Sequence, residues 1–301
     1  MKTFLRLVWT VLFFSIPLGA QVQLSFQGNP GRALTLAYSL TAPVEVTKSV
    51  TIRHRGPATS WFFTLSPGQN SGGNPLDRQT WDANSNPLFY QILDASGNIL
   101  TNSQGFSGSF PAKTGGFQSI TVSYRVVLQI DQFPWAGSFT DLPQIQLYQG
   151  VDTTGILSDS ADLPLTVTMQ QVVDMRLVQR GGSYTSGVQD FVVTYPILTT
   201  GSVQEADLLV RTNVPYSVEM QSQNGGFLQH LSLPSTIPYQ LIIDGNAVTF
   251  LSTTPIQVLL TQPPTGVAGQ SYAISTSLPL NDLLPDAGQY QDVISITIVP
   301  N

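Results

Sequence analysis

Cysteine is absent from this 301-residue chain, which excludes disulfides, thiolate nucleophiles and thiolate metal sites. Histidine occurs only at His54 and His230, and charged residues make up 10% of the sequence, against roughly 25% in ordinary globular proteins. The net charge of −6 leaves no basic footprint, so nucleic acid is not an expected partner. No window beyond the first residues shows helical periodicity, and no later apolar run is long enough to span a membrane.

What stands in place of charge is Gln, Ser, Thr and Asn, which predicts a neutral surface rich in hydrogen-bonding groups. The start of the chain differs. Lys2 and Arg6 precede the apolar run Leu7–Ile16, and Pro17-Leu18-Gly19-Ala20 then offers a small-residue cleavage site before Gln21. That pattern predicts an export signal over residues 1–20 and an exported mature protein. Without disulfides, such a protein must be held by core size, sheet pairing or partners.

From Gln21 onward the pattern is that of an all-β protein. Short alternating runs of Val, Ile, Leu, Thr, Tyr and Phe are punctuated by Gly, Pro, Asn and Asp. Strands are predicted at 22–26, 33–38, 49–52, 61–65, 88–93, 118–130, 144–148 and 163–169. In the second half they fall at 173–177, 190–195, 206–210, 216–220 and through the C-terminal stretch, with 231–238 read as irregular because of Pro234 and Pro238. Length allows two domains, placed at 21–170 and 171–301. The alternation of Val173, Met175 and Leu177 continues straight out of the first, with no flexible linker between them.

The two halves repeat each other. Pro134-Trp135-Ala136-Gly137-Ser138-Phe139-Thr140-Asp141 recurs about 150 residues later as Pro285-Asp286-Ala287-Gly288-Gln289-Tyr290-Gln291-Asp292. Gln69-Asn70 with Gly72-Gly73 recurs as Gln223-Asn224 with Gly225-Gly226, and Pro87–Ile92 recurs as Ile237–Leu241. The Asp-Ala-Gly-x-Tyr step resembles the corner before the second-to-last strand of immunoglobulin-like sandwiches, where a Tyr ties the turn to the sheet. In the first copy Gln144–Tyr148 and Leu163–Met169 follow the corner and supply a closing strand. In the second, Tyr290, Val293 or Ile294, Ile296 and Ile298 make one strand, followed only by Val299, Pro300 and Asn301. The expected fold is therefore two tandem immunoglobulin-like β-sandwiches, the C-terminal one lacking its last strand.

These elements resemble the spore coat U domain of archaic chaperone-usher pilus subunits. The resemblance lies in Phe63-Thr64-Leu65-Ser66-Pro67-Gly68-Gln69-Asn70, then Arg78, then Leu88-Phe89-Tyr90-Gln91-Ile92, and finally Ala287–Ile294. The chain departs from many members in having no cysteine. The resemblance implies a pilin sandwich completed first by a periplasmic chaperone at the outer-membrane usher and then by the N-terminal strand of the adjacent pilus subunit. A two-domain member implies a tip adhesin, exported through the periplasm to the fimbrium at the cell surface. The rival expectation is a secreted carbohydrate-binding or accessory β-sandwich protein.

No catalytic, cofactor or metal constellation emerges. Neither histidine has a carboxylate at a useful spacing, and both are read as surface or edge residues. Asp131, Asp141, Asp244 and Asp292 fall at turns, where capping of backbone amides is expected rather than calcium binding. Phe133, Trp135, Trp61 and Trp81 are the surface-binding candidates, read either as core or interface packing or as a hydrophobic finger. Tyr290, Ile294, Ile296 and Ile298 are the candidates for lining a strand-acceptor groove.

Overall fold

The computed structural model describes residues 21–40, 42–101, 103–194, 201–278 and 286–301. The predicted export signal, Tyr195 and Pro285 lie outside the described residues. The first half is built from β1 (Gln23–Phe26), β2 (Leu34–Ala37), β3 (Val44–Gly56), β4 (Thr59–Leu65), β5 (Gln79–Trp81), β6 (Pro87–Leu93), β7 (Phe106–Phe110), β8 (Lys113–Leu128), β9 (Gly137–Asp141), β10 (Gln144–Gln149), β11 (Ile156–Asp162) and β12 (Leu165–Met169). The second half contains β13 (Val173–Gln179), β14 (Val203–Thr212), β15 (Tyr216–Ser222), β16 (Phe227–His230), β17 (Thr236–Pro238), β18 (Gln240–Ile243), β19 (Asn246–Val248), β20 (Ile256–Gln262), β21 (Gln270–Ser277), β22 (Tyr290–Gln291) and β23 (Ile294–Pro300).

Alternation decides which face of each strand is buried. In β12 Leu165, Val167 and Met169 point inward while Thr166 and Thr168 point out; in β8 Val122, Tyr124, Val126 and Leu128 are the inward set. The buried apolar residues form two separate clusters, one from Leu24 to Met169 and one from Leu208 to Ile274. The protein is all-β: two immunoglobulin-like sandwiches in tandem, the C-terminal one showing no closing strand among the described residues.

In the first sandwich, one sheet runs β1-β3-β8-β6-β5-β9-β12-β2 and the other β11-β10-β4-β7. The second has sheets β13-β14-β21-β18-β19, β20-β15-β23 and β17-β16-β22. Matching pairs by register gives β1·β3 with β13·β14, β3·β8 with β14·β21, β6·β8 with β18·β21, and β4·β10 with β15·β23. Among the described residues, β2, β11 and β12 have no counterparts. In the first sandwich β11 and β12 form the closing strand, antiparallel to β10 and β9, and β2 lies parallel to β12.

Several expectations are corrected. The strand expected at 190–195 is absent from 190–194, which are irregular and solvent-facing, with Val192 83% exposed. The sequence there is strand-like, Phe191-Val192-Val193-Thr194 against Leu34-Thr35-Leu36-Ala37 in β2, but the strand that would pair with it is missing. The 231–238 segment is partly regular, since β17 pairs with β16 despite Pro238. Pro238 occupies the end of a short edge strand, where a missing donor is tolerated. The C-terminal strand is broken at Asp292-Val293, which puts Ile294 inward and leaves Val293 exposed.

Candidate functional site

The second sandwich carries an edge that no described strand covers. β23 pairs with β15 from Tyr216↔Pro300 to Ser222↔Ile294, and β22 pairs with β16 through His230↔Tyr290. Among the described residues, no strand pairs with their other edge, whereas the equivalent edges of β10 and β9 carry β11 and β12. Side-chain burial records the same difference. Ile145 and Leu147 on β10 are fully buried, but Ile294, Ile296 and Ile298 on β23 are only half-buried against their core. Met175 and Leu177 on β13 are likewise half-buried, and Tyr216, Val218 and Met220 lie beneath them fully buried. The result is an apolar trough beside unpaired backbone amides and carbonyls, which is the geometry of a strand acceptor.

The turn leading into this edge is held as the sequence suggested. Tyr290 Oη donates to the Asp286 carbonyl at 3.0 Å and lies 3.1 Å from Ser235 Oγ, tying the corner to its own strand. His230 packs edge-on against the Tyr290 ring, accepts the Ser232 and Leu233 amides at Nδ1, and places Nε2 3.2 Å from the Ala287 carbonyl. His54 is fully buried, stacks on Phe110 and bonds Pro57 O and Gln118. Both histidines are thus buried structural groups rather than the surface or edge residues expected, because their rings satisfy turns that close over them.

One polar knot occurs in both halves. Asp141, the last residue of β9, accepts Tyr90 Oη at 2.6 Å and the Gln69 amide at 2.8 Å, while Asn70 donates to the Thr140 carbonyl. Asp292, between β22 and β23, accepts Tyr239 Oη at 2.5 Å, the Asn224 amide at 3.0 Å and Ser222 Oγ, while Asn224 donates to the Gln291 carbonyl. Gly68 has φ +98°, and a Cβ there would lie 2.0 Å from the Asp141 carboxylate, so only glycine fits. The first half adds Arg78, which is fully buried and donates to the carbonyls of Leu65, Ser66, Pro75 and Leu100. Burial lowers the Arg78 pKa to about 10, against the opposing pull of Tyr90 and Asp141. Burial, reinforced by the Asp141 charge, pushes the Tyr90 phenol far above its ordinary value.

The aromatic candidates separate. Trp61 is 3% exposed and packs on Phe110, so it belongs to the core rather than to a binding surface. Phe133 is half-buried, and Trp135 is 41% exposed in the turn before β9. That turn faces the second sandwich, since the Ala136 amide donates to the Asn213 carbonyl. Asn213 is itself buried and bonds Gln170 O and both backbone groups of Val172, clipping the connection between the halves. Trp81 sits on the outer sheet face, its indole NH bonded to Gln79. At the end of the first sandwich away from Asn213, the β3–β4 turn, the β7–β8 turn and the β10–β11 loop lie together. Gly56 pairs with Lys113 and the Gly150 amide donates to Ser60 O. Sequence reasoning missed this end, where Phe117 on β8, Val151 in the β10–β11 loop and Ile156 at the start of β11 are exposed, because apolar residues from separate segments carry no shared periodic signal.

Among the described residues there is no cluster of metal-ligating side chains, and no helix is long and apolar enough to cross a membrane. No family model matches the chain and no curated protein matches it, so the spore coat U resemblance rests on the sequence motifs. Solved structures similar to it include a chain of the CsuC–CsuE chaperone–tip adhesion subunit pre-assembly complex from the archaic Csu pili of Acinetobacter baumannii, with 13% identity and a TM-score of 0.42 over 93% of this chain and 100% of that one. The CupB6 tip adhesin of Pseudomonas aeruginosa matches with 13% identity and a TM-score of 0.37 over 93% and 97%. CfaE, the adhesive subunit of CFA/I fimbria of enterotoxigenic Escherichia coli, matches with 11% identity and a TM-score of 0.39 over 91% and 94%.

Proposed function

We propose that this protein is an exported, two-domain pilus tip adhesin, with residues 1–20 as export signal, 21–170 as the adhesive domain and 171–301 as a pilin domain that accepts a strand from another polypeptide. The observation that carries the reading is the unpaired edge of β22 and β23 beside half-buried Ile294, Ile296 and Ile298. A periplasmic chaperone would cover this edge first, and the N-terminal strand of the adjacent subunit would replace it at the outer-membrane usher. The adhesive contact is assigned to the apolar end formed by Phe117, Val151 and Ile156, since Trp135 lies at the end that meets the second sandwich.

The first sandwich supplies its own pattern for the missing piece. Leu163, Leu165, Val167 and Met169 alternate along its closing strand and are all buried. Four such side chains, at roughly 1.5 to 3 kcal/mol each, contribute on the order of 10 kcal/mol before the cost of ordering the donor. A synthetic peptide copying Ala161–Gln170, added to the purified mature protein, should raise the melting temperature of the second sandwich and suppress aggregation. Ile296→Asp should remove both effects while the first sandwich melts unchanged. A monodisperse protein indifferent to the peptide would overturn the reading.

A further inference from the structure

The outer face of the large first sheet carries a cleft that strand acceptance does not use. Register places Trp81 opposite Thr140, Thr140 opposite Thr166 and Thr166 opposite Thr35. These residues all point away from the core and form one row across β5, β9, β12 and β2. Adjacent strands lie about 4.8 Å apart, so the threonine hydroxyls step away from the indole at that interval. The loop after β4 walls the row with Gln69 and Asn70, leaving a cavity of about 340 Å³. That volume is at the small end of ligand pockets, which run from about 300 to 1,000 Å³.

The cleft is built before any ligand arrives. The Gln69 amide is tied to Asp141, Asn70 Nδ2 is tied to the Thr140 carbonyl, and the Trp81 indole NH is tied to Gln79 Oε1. Trp81 nevertheless keeps 38% of its surface open. No Lys or Arg lines the cavity, which disfavours phosphate, sulfate or carboxylate ligands. The Asp82 carboxylate is spent on the Asn84 and Asn86 amides and on Asn86 Nδ2, and Asp141 is spent on Tyr90 and Gln69. The groups left for a ligand are an aromatic surface, the Gln69 side-chain amide, Asn70 Oδ1 and threonine hydroxyls. They suit a molecule with an apolar face and a rim of hydroxyls that donate and accept in turn.

We infer that this cleft binds a neutral saccharide of one or two pyranose units, its apolar ring face against Trp81 and its hydroxyls on Gln69, Asn70, Thr140 and Thr166. The inference does not depend on strand acceptance, because the first sandwich is closed by its own β11 and β12. It is tested by saturation-transfer NMR and calorimetry on the full mature chain with galactose, glucose, mannose, N-acetylglucosamine and their β-linked disaccharides. At least one should bind with millimolar affinity or better. Trp81→Ala should weaken it at least tenfold and Thr166→Val several-fold, with the melting temperature of the first sandwich unchanged because both side chains lie on the outer face. Absence of binding by every sugar, binding that survives Trp81→Ala, or binding confined to acidic sugars would overturn the inference.

Discussion

Arg78 shows how far a residue's role depends on what surrounds it. In the sequence it is one position of a resemblance; in the fold its planar cation gathers four carbonyls from the end of β4, the β4–β5 connection and the β6–β7 connection. Lysine keeps the charge but not the fork of donors. Arg78→Lys should therefore strand at least one buried carbonyl and destabilise the first sandwich by about 2 to 4 kcal/mol, read as a lower urea midpoint with an unchanged slope. A midpoint equal to that of the parent would show that the loops hold without the guanidinium. The Asp141 knot beside it is the part that recurs within the chain, since Asp292 and Tyr239 rebuild it in the second sandwich without an arginine.

A strand exists only where it has a partner, and the segment 190–194 makes that point at the level of the element. β2 persists in the first sandwich because β12 lies parallel to it. Its counterpart, with equally strand-like residues, stays irregular where no such neighbour exists. An incoming strand antiparallel to β22 and β23 would offer the missing ladder on its far side. The amides of Val192, Val193 and Thr194 should exchange freely in the isolated protein and slow by about tenfold or more once the Ala161–Gln170 peptide is bound. Unchanged exchange at these amides with protection gained at β23 would mean that the added strand pairs on one side only.

For the whole molecule, the question is which end faces outward. Asn213 fixes the connection at Gln170–Val172 and holds the turn carrying Trp135, so the exposed apolar end around Val151 and Ile156 points away from the second sandwich. Replacing Val151 and Ile156 together with serine should reduce retention of the assembled protein on a hydrophobic surface severalfold without lowering its melting temperature. Trp135→Ser should leave retention unchanged. Loss of retention with Trp135→Ser alone would return the adhesive contact to that turn.

The sequence by itself determined the all-β class, the tandem duplication and the tyrosine corner, because period-2 alternation and turn chemistry are local and repeat visibly. Asp141 and Asp292 were legible as corner residues, but their partners Tyr90 and Gln69, and Tyr239 and Asn224, come from segments more than fifty residues away. What tertiary structure alone decided was pairing and burial: that 190–194 forms no strand, that His54, His230 and Trp61 are interior, and that Trp81 shares a row with threonines from distant strands. Each depends on which segments meet across the sheets, and contacts between residues far apart in the chain leave no trace in the local pattern.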